Sequence, residues 1–217
     1  MPHRTEFLQE LAKETTYGVL LLAQMGGVPN EIQLMVETAE YDPAVEGLRP
    51  KQGYIIRALG VREQQVQLGI FSELAFVNEH PLLLHHNTAR TAVHFVGKPT
   101  NVSELILDIF QVYVSAFQNW RNLTQMPDDL NVSMPLVDLL AQGYGLLGIM
   151  PKPFAERIGR VLEHHGVKAT LSPEGNYEEM DDHGRSKAAQ ALIIDQGYVV
   201  ALDFSVERVG KVSKAQT

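Results

Sequence analysis

Three of the eight histidines in this 217-residue chain stand in one segment, Glu79-His80-Pro81-Leu82-Leu83-Leu84-His85-His86-Asn87-Thr88-Ala89-Arg90, and His94 follows just beyond it. A neutral imidazole ligates transition metals and titrates near neutral pH, so such a cluster suits metal binding or acid–base work. The segment lies between two expected strands, which places it on a loop at a sheet edge, where binding groups are often mounted. His85, His86, Asn87 and Arg90 form the candidate ligand-binding set, suited to a small molecule or an anion. A metal site would need three or four ligands converging at about 2 Å. The His-Glu-x-x-His spacing that delivers this from a helix is absent, and His85 and His86 would point apart on an extended chain, so no metal ligand and no catalytic residue is assigned. The competing account is a polar loop whose histidines cap backbone groups or face solvent.

Other stretches carry weaker signals. Ser172 to Ser186 holds Glu174, Glu178, Glu179, Asp181, Asp182 and His183, and clustered carboxylates can hold a hard cation. Their spacing does not follow a calcium-binding loop, so a solvated acidic loop is the expectation. Gly143-Tyr144-Gly145-Leu146-Leu147-Gly148 matches G-x-G-x-x-G, but a dinucleotide fingerprint needs a strand before it and a helix after it within a parallel unit. Here the preceding residues look helical, and the glycines are expected to stop that helix and turn the chain toward another. His164 and His165 end an expected helix, where a cation interacts favourably with the macrodipole. No Gly-x-Ser-x-Gly elbow, Ser-x-x-Lys pair or Walker-type loop occurs, so nucleophilic and phosphate-loop hydrolysis lack their usual marks.

The elements that must position these residues follow from periodicity. A first helix is expected from near Thr5 through Leu22, stopped by Gly26-Gly27-Val28-Pro29. Strands are expected at Ile32–Thr38, Tyr54–Leu59, Val66–Phe71 and Thr91–Val96, with Arg62-Glu63-Gln64 short enough for a hairpin; direct hairpins favour antiparallel pairing. A helix from Val102 to about Trp120 is the clearest element. Asn101 and Glu104 mark its start, and Leu105, Ile106, Ile109, Val112, Tyr113, Ala116, Phe117 and Trp120 form its apolar stripe. Tyr113, Phe117 and Trp120 could line a hydrophobic ligand pocket, although a core-facing helix needs the same spacing. A short helix follows near Ser133–Gln142, then a helix at Pro153–His165 and a strand at Val167–Leu171. Asp195-Gln196-Gly197 separates strands Ala191–Ile194 and Tyr198–Val206 in a hairpin pattern.

The fold class expected is therefore α+β, mainly antiparallel sheet packed against helices, the longest at about 102–120. Residues 1–207 read as a single domain, with a weak possible subdivision near 150 at Met150-Pro151-Lys152-Pro153, and 208–217 as a flexible polar tail. The 45% hydrophobic content supports an ordinary core. The absence of cysteine excludes disulfides, thiolate catalysis and cysteine-rich metal sites. The longest apolar run, Val19 to Ala23, is far short of the roughly 20 residues that span a bilayer. No secretory leader is evident, so a soluble cytoplasmic protein is expected and the sequons at Asn101, Asn122 and Asn131 are chance matches. A net charge of −8 lacks the basic field that draws nucleic acid, which makes that partner an unfavoured one.

These observations favour a binding or regulatory protein that self-associates, dimers being the commonest closed assembly. The alternatives are a metal-dependent or acid–base enzyme using residues 79–94, and a protein that binds a hydrophobic small ligand. No particular cofactor is indicated.

Overall fold

The computed structural model describes residues 2–122, 133–174 and 188–209, together with Met126 and Leu130. The fold is α+β: the described residues form five helices and twelve strands, the strands arranged in three antiparallel sheets. No described helix is long and apolar enough to cross a membrane. The chain divides into two compact units, residues 1–79 with 188–217, and residues 80–187. The Met150-Pro153 link, where the sequence suggested a subdivision, lies inside the second unit.

The first unit begins with helix α1 (Pro2–Leu11), which ends well before Leu22. Residues Thr16–Met25 form strand β1 instead of extending the helix. From Thr16 to Leu20 burial alternates residue by residue, the period of a strand with one face covered. Gly18 explains part of the choice. A Cβ at this position would stand 2.1 Å from Cζ of the Phe71 ring, so the buried ring occupies the space a side chain would need.

Strand β1 pairs with β2 (Glu31–Asp42), which pairs with β3 (Gly47–Leu59). The expected strand at 66–71 is not one element. It is replaced by β4 (Glu63–Gln65) and β5 (Gly69–Phe71), which join different sheets, so Arg62-Glu63-Gln64 is not a hairpin turn. Strand β6 (Leu74–Val77) completes this stretch. After the second unit the chain returns as β10 (Gln190–Ile194), β11 (Gly197–Ala201) and β12 (Asp203–Val209). The β10–β11 hairpin turns at Asp195, whose φ is 47°; its Oδ1 accepts from the Glu73 backbone N–H at 2.8 Å.

The single strand expected at Tyr198–Val206 breaks at Leu202, whose N–H donates to Leu59 O at 3.0 Å. That break sends β11 and β12 into separate sheets, ordered β12-β3-β2-β1-β5 and β4-β11-β10-β6. Leu34, Val36, Tyr54 and Ile56 from one sheet share a core with Leu192, Val199 and Ala201 from the other, joined by Phe7 of α1. Arg208 and Val209 belong to β12 and not to a tail; residues 210–217 lie outside the described residues.

In the second unit β7 (Arg90–Val96) is the central strand, flanked by β8 (Tyr144–Pro151) and, on its other edge, β9 (Lys168–Pro173). The glycine-rich run is therefore strand β8 and not a turn between helices. Gly143, φ 86°, caps the helix before it, and the pairing of β8 with β7 is antiparallel, so the parallel setting of a dinucleotide fingerprint is missing. Helix α3 (Val102–Phe117) is followed by a 3-10 turn at Gln118–Trp120. The Asn101 side chain caps α3 by accepting from the N–H groups of Ser103 and Glu104. Val93 and Phe95 of β7 meet Leu105, Ile109, Tyr113 and Phe117 of α3 in a second core. Helix α4 (Leu136–Gln142) and helix α5 (Lys152–His164) add Leu140, Phe154, Ile158 and Leu162 to it. Of the acidic stretch, Ser172 and Pro173 end β9, and residues 175–187 lie outside the described residues.

Replacing Gly18 with Val should cost about 1–3 kcal/mol of unfolding free energy through overpacking against Phe71. Equilibrium urea denaturation checks this, and a Gly18→Val, Phe71→Leu double variant should recover part of the loss.

Candidate functional site

The histidine segment folds as two helical turns and not as an extended loop. Pro81 opens a 3-10 turn, Pro81–Leu83, with its φ already suited to a helix start, and Leu82 and Leu83 bury against the second unit's interior. Helix α2 (Leu84–Asn87) follows directly. His80 caps the first turn, its Nδ1 accepting from the Leu82 N–H at 3.3 Å, and its ring meets Trp120 edge-on with centroids 4.7 Å apart. Burial pushes the His80 pKa below the usual histidine value. His85 stacks flat on Phe117, centroids 5.2 Å apart and planes 8° from parallel.

The other members of the predicted set take different places. His86 is half-buried and Asn87 exposed at the end of α2. Arg90 opens β7 and its Nη2 donates to Ile149 O on β8 at 2.6 Å. His94 is exposed on β7, opposite Leu146 and Thr170. His85 and His86 sit on consecutive positions of a helical turn, about 100° apart rather than on opposite sides of a strand. Among the described residues, no three His, Asp or Glu side chains come together as a metal-binding group. The aromatic side chains of α3 pack within the core: Tyr113 and Phe117 lie 4.9 Å apart, and Phe117 lies 5.8 Å from Phe154 of α5.

His165 caps the end of α5, and its Nε2 stands 2.7 Å from Asp108 Oδ2 on α3. This contact ties two core helices together, as does Arg157, which donates to Ser115 Oγ at 2.8 Å.

A concave polar site lies elsewhere, in the first unit. An open cleft of about 630 Å³ runs beside α1. Glu6 and Glu10 reach it from one face of α1, at the i, i+4 spacing that stacks side chains above one another, and Lys13 reaches it from the link that follows the helix. Strand β2 contributes Glu40, β3 contributes Arg49, Lys51 and Gln52, and β12 contributes Arg208. The β2–β3 register slips between Thr38 and Ala39, leaving Lys51 as the extra residue of a bulge. Bulges re-aim side chains, and here Lys51 turns to Glu40 and Glu10, the latter at 3.9 Å. Arg208 pairs with Glu6 at 2.8 Å. Tyr54 donates its hydroxyl to Glu10 at 2.8 Å; burial first, then that bond, raise the Tyr54 pKa well above its ordinary value. Gln52 is nearly fully buried and donates to the carbonyls of Gly53 and Val209. Lys13 and Arg49 have no ion-pair partner among the described residues. Nothing in local spacing marks this site, because its residues come from positions 6 to 208 and are of types common on any surface.

The outer face of the five-stranded sheet is the second surface of note. Register places Leu22 opposite Met35, Met35 opposite Ile55, and Val19 opposite Ile70, all on the face away from Leu20, Val36 and Tyr54. Ile70 is 64% exposed and Leu22 41%. Arg57 and Glu207 border this row with an ion pair at 3.3 Å.

Comparison with protein-family models, curated proteins and solved structures finds no match for this chain.

Burial disfavours the charged His80 ring, and the cap uses its bare Nδ1 lone pair, so the folded state favours neutral imidazole with a pKa below the ordinary histidine value. As pH falls through 6.5 the unfolded chain takes the proton first, and stability should drop until the lower folded pKa is passed. A His80→Asn variant keeps a cap acceptor without titrating, so its denaturation midpoint should vary less between neutral and mildly acidic pH than that of the parent.

Proposed function

We propose that this chain is a binding protein that works as a self-associated assembly, a second copy covering the outer face of its five-stranded sheet. The observation that carries this reading is the apolar row Leu22, Met35 and Ile55, widened by Val19 and Ile70. An antiparallel sheet in water normally alternates apolar-in with polar-out, and here Leu22, Met35 and Ile55 set an apolar row across the outer face, with Gln33 and Arg57 on one side of it and Glu37 on the other. Contiguous exposed apolar surface bordered by charge is what association surfaces look like. A two-fold axis through the sheet face would set the same row against itself, and the Arg57–Glu207 border supplies groups of both signs for a self-complementary rim.

The enzyme reading has less to stand on. His80 and His85 spend their rings on Trp120 and Phe117, and Arg90 spends its guanidinium on a backbone carbonyl. A hydrophobic ligand beneath α3 would have to displace aromatic side chains that already fill that space.

Light scattering coupled to size exclusion at micromolar concentration should return twice the 24.2 kDa chain mass. Met35→Glu should shift the species to monomer, weakening association by roughly tenfold or more, the effect of a charge at an interface centre. A monomeric parent protein at tens of micromolar would refute the reading.

A further inference from the structure

We infer that the cleft beside α1 is a binding site for a small phosphate monoester. The inference stands apart from self-association, since the cleft residues Lys13, Arg49, Lys51 and Arg208 come from a different part of the first unit than the Leu22–Met35–Ile55 row. Three observations carry it.

The cleft has the right size. At about 630 Å³ it falls inside the range typical of small-molecule sites.

Its charge runs against that of the chain. Lys13, Arg49, Lys51 and Arg208 face Glu6, Glu10 and Glu40, an excess of one positive charge within a protein of net charge −8. The carboxylates are already committed: Glu6 to Arg208, and Glu10 and Glu40 to Lys51, with the Tyr54 hydroxyl also on Glu10. That leaves Lys13, in the link after α1, and Arg49, on β3, as the two cations without an acidic partner among the described residues. A phosphate monoester carries about −1.5 to −2 at neutral pH, which matches them. Its three oxygens accept from donors arriving from several directions, which suits a lysine on one wall and an arginine fork on another better than a planar carboxylate does.

The floor is held in place. Gln52 is buried and bonded to the Gly53 and Val209 carbonyls, and the bulge at Lys51 fixes that side chain between two carboxylates. Glu40 meets Lys51 through Oε1 alone and keeps Oε2 as an acceptor for a hydroxyl group of the ligand's organic part, which gives the ester an advantage over the bare ion.

Isothermal titration of the full chain at low ionic strength tests this, with glycerol 3-phosphate, inorganic phosphate, succinate and glycerol as the probes. The expected result is saturable binding of glycerol 3-phosphate, weaker binding of phosphate, and none of glycerol. An Arg49→Gln, Lys13→Gln double variant should lose roughly tenfold or more in affinity, as expected for losing two charge-assisted contacts. Both side chains are exposed, so the melting temperature of the variant should match that of the parent and folding loss is separable. Lys152→Gln, on α5 and outside the cleft, should leave binding unchanged. Absence of saturable binding by either phosphate compound, binding indifferent to the double substitution, or tighter binding of succinate than of glycerol 3-phosphate would each overturn the assignment. Because the light-scattering result does not depend on Lys13 or Arg49, failure here leaves the oligomeric reading to its own test.

Discussion

An apolar strand face must be covered, and the two units of this protein meet that demand in different ways. In the first, two antiparallel sheets turn their inner faces to a common core and Phe7 of α1 joins them, its ring 4.6 Å from Tyr54. In the second, three strands are too few to fold over on themselves, and α3 and α5 supply the cover. Each fully buried side chain of this kind contributes roughly 1.5–3 kcal/mol, which sets it well above any single surface ion pair in deciding the fold. The polar features sit where that burial allows them: the cleft beside α1 exists because the helix covers part of a sheet and leaves its charged face standing over the strand ends.

The histidine-rich segment illustrates how packing absorbs residues that look chemical. Pro81 and three leucines wind the chain into short helical turns, and once Leu82 and Leu83 are buried the neighbouring imidazoles are carried against Trp120 and Phe117. An imidazole has a flat apolar face as well as two polar nitrogens, and this interior uses the face. The cleft shows the converse. Its lysines, arginines and glutamates look like solvated surface along the chain, and only the meeting of α1, β2, β3 and β12 gives them a shared concavity.

Several elements were legible without coordinates. Alternation identifies the first part of β2, the last part of β3, and β7; the stripe of α3 and its Asn101 cap are plain; Gly166 follows the end of α5 and Asp195 turns a hairpin. The misreadings share a cause. The expected first helix runs on through Leu22, into what is strand β1, because Val19–Ala23 is apolar on every side, and a run without alternation has no period to read. Residues 198–206 read as one strand because the pattern of side chains continues across a break that only a change of sheet explains, and Arg62-Glu63-Gln64 reads as a hairpin link although Glu63 and Gln64 belong to a strand of the other sheet.

Sequence alone settled the fold class and the location of most elements, because one-sided burial imprints a period of two on strands and of about 3.6 on helices, and both are local. It also excluded all thiol chemistry through the absence of cysteine. The tertiary structure alone decided which strands share a sheet, where the chain divides into units, and which charged groups stand together. Those outcomes depend on pairings between residues as far apart as Glu6 and Arg208, and hydrogen bonds and ion pairs across such separations leave no spacing rule in the chain that makes them.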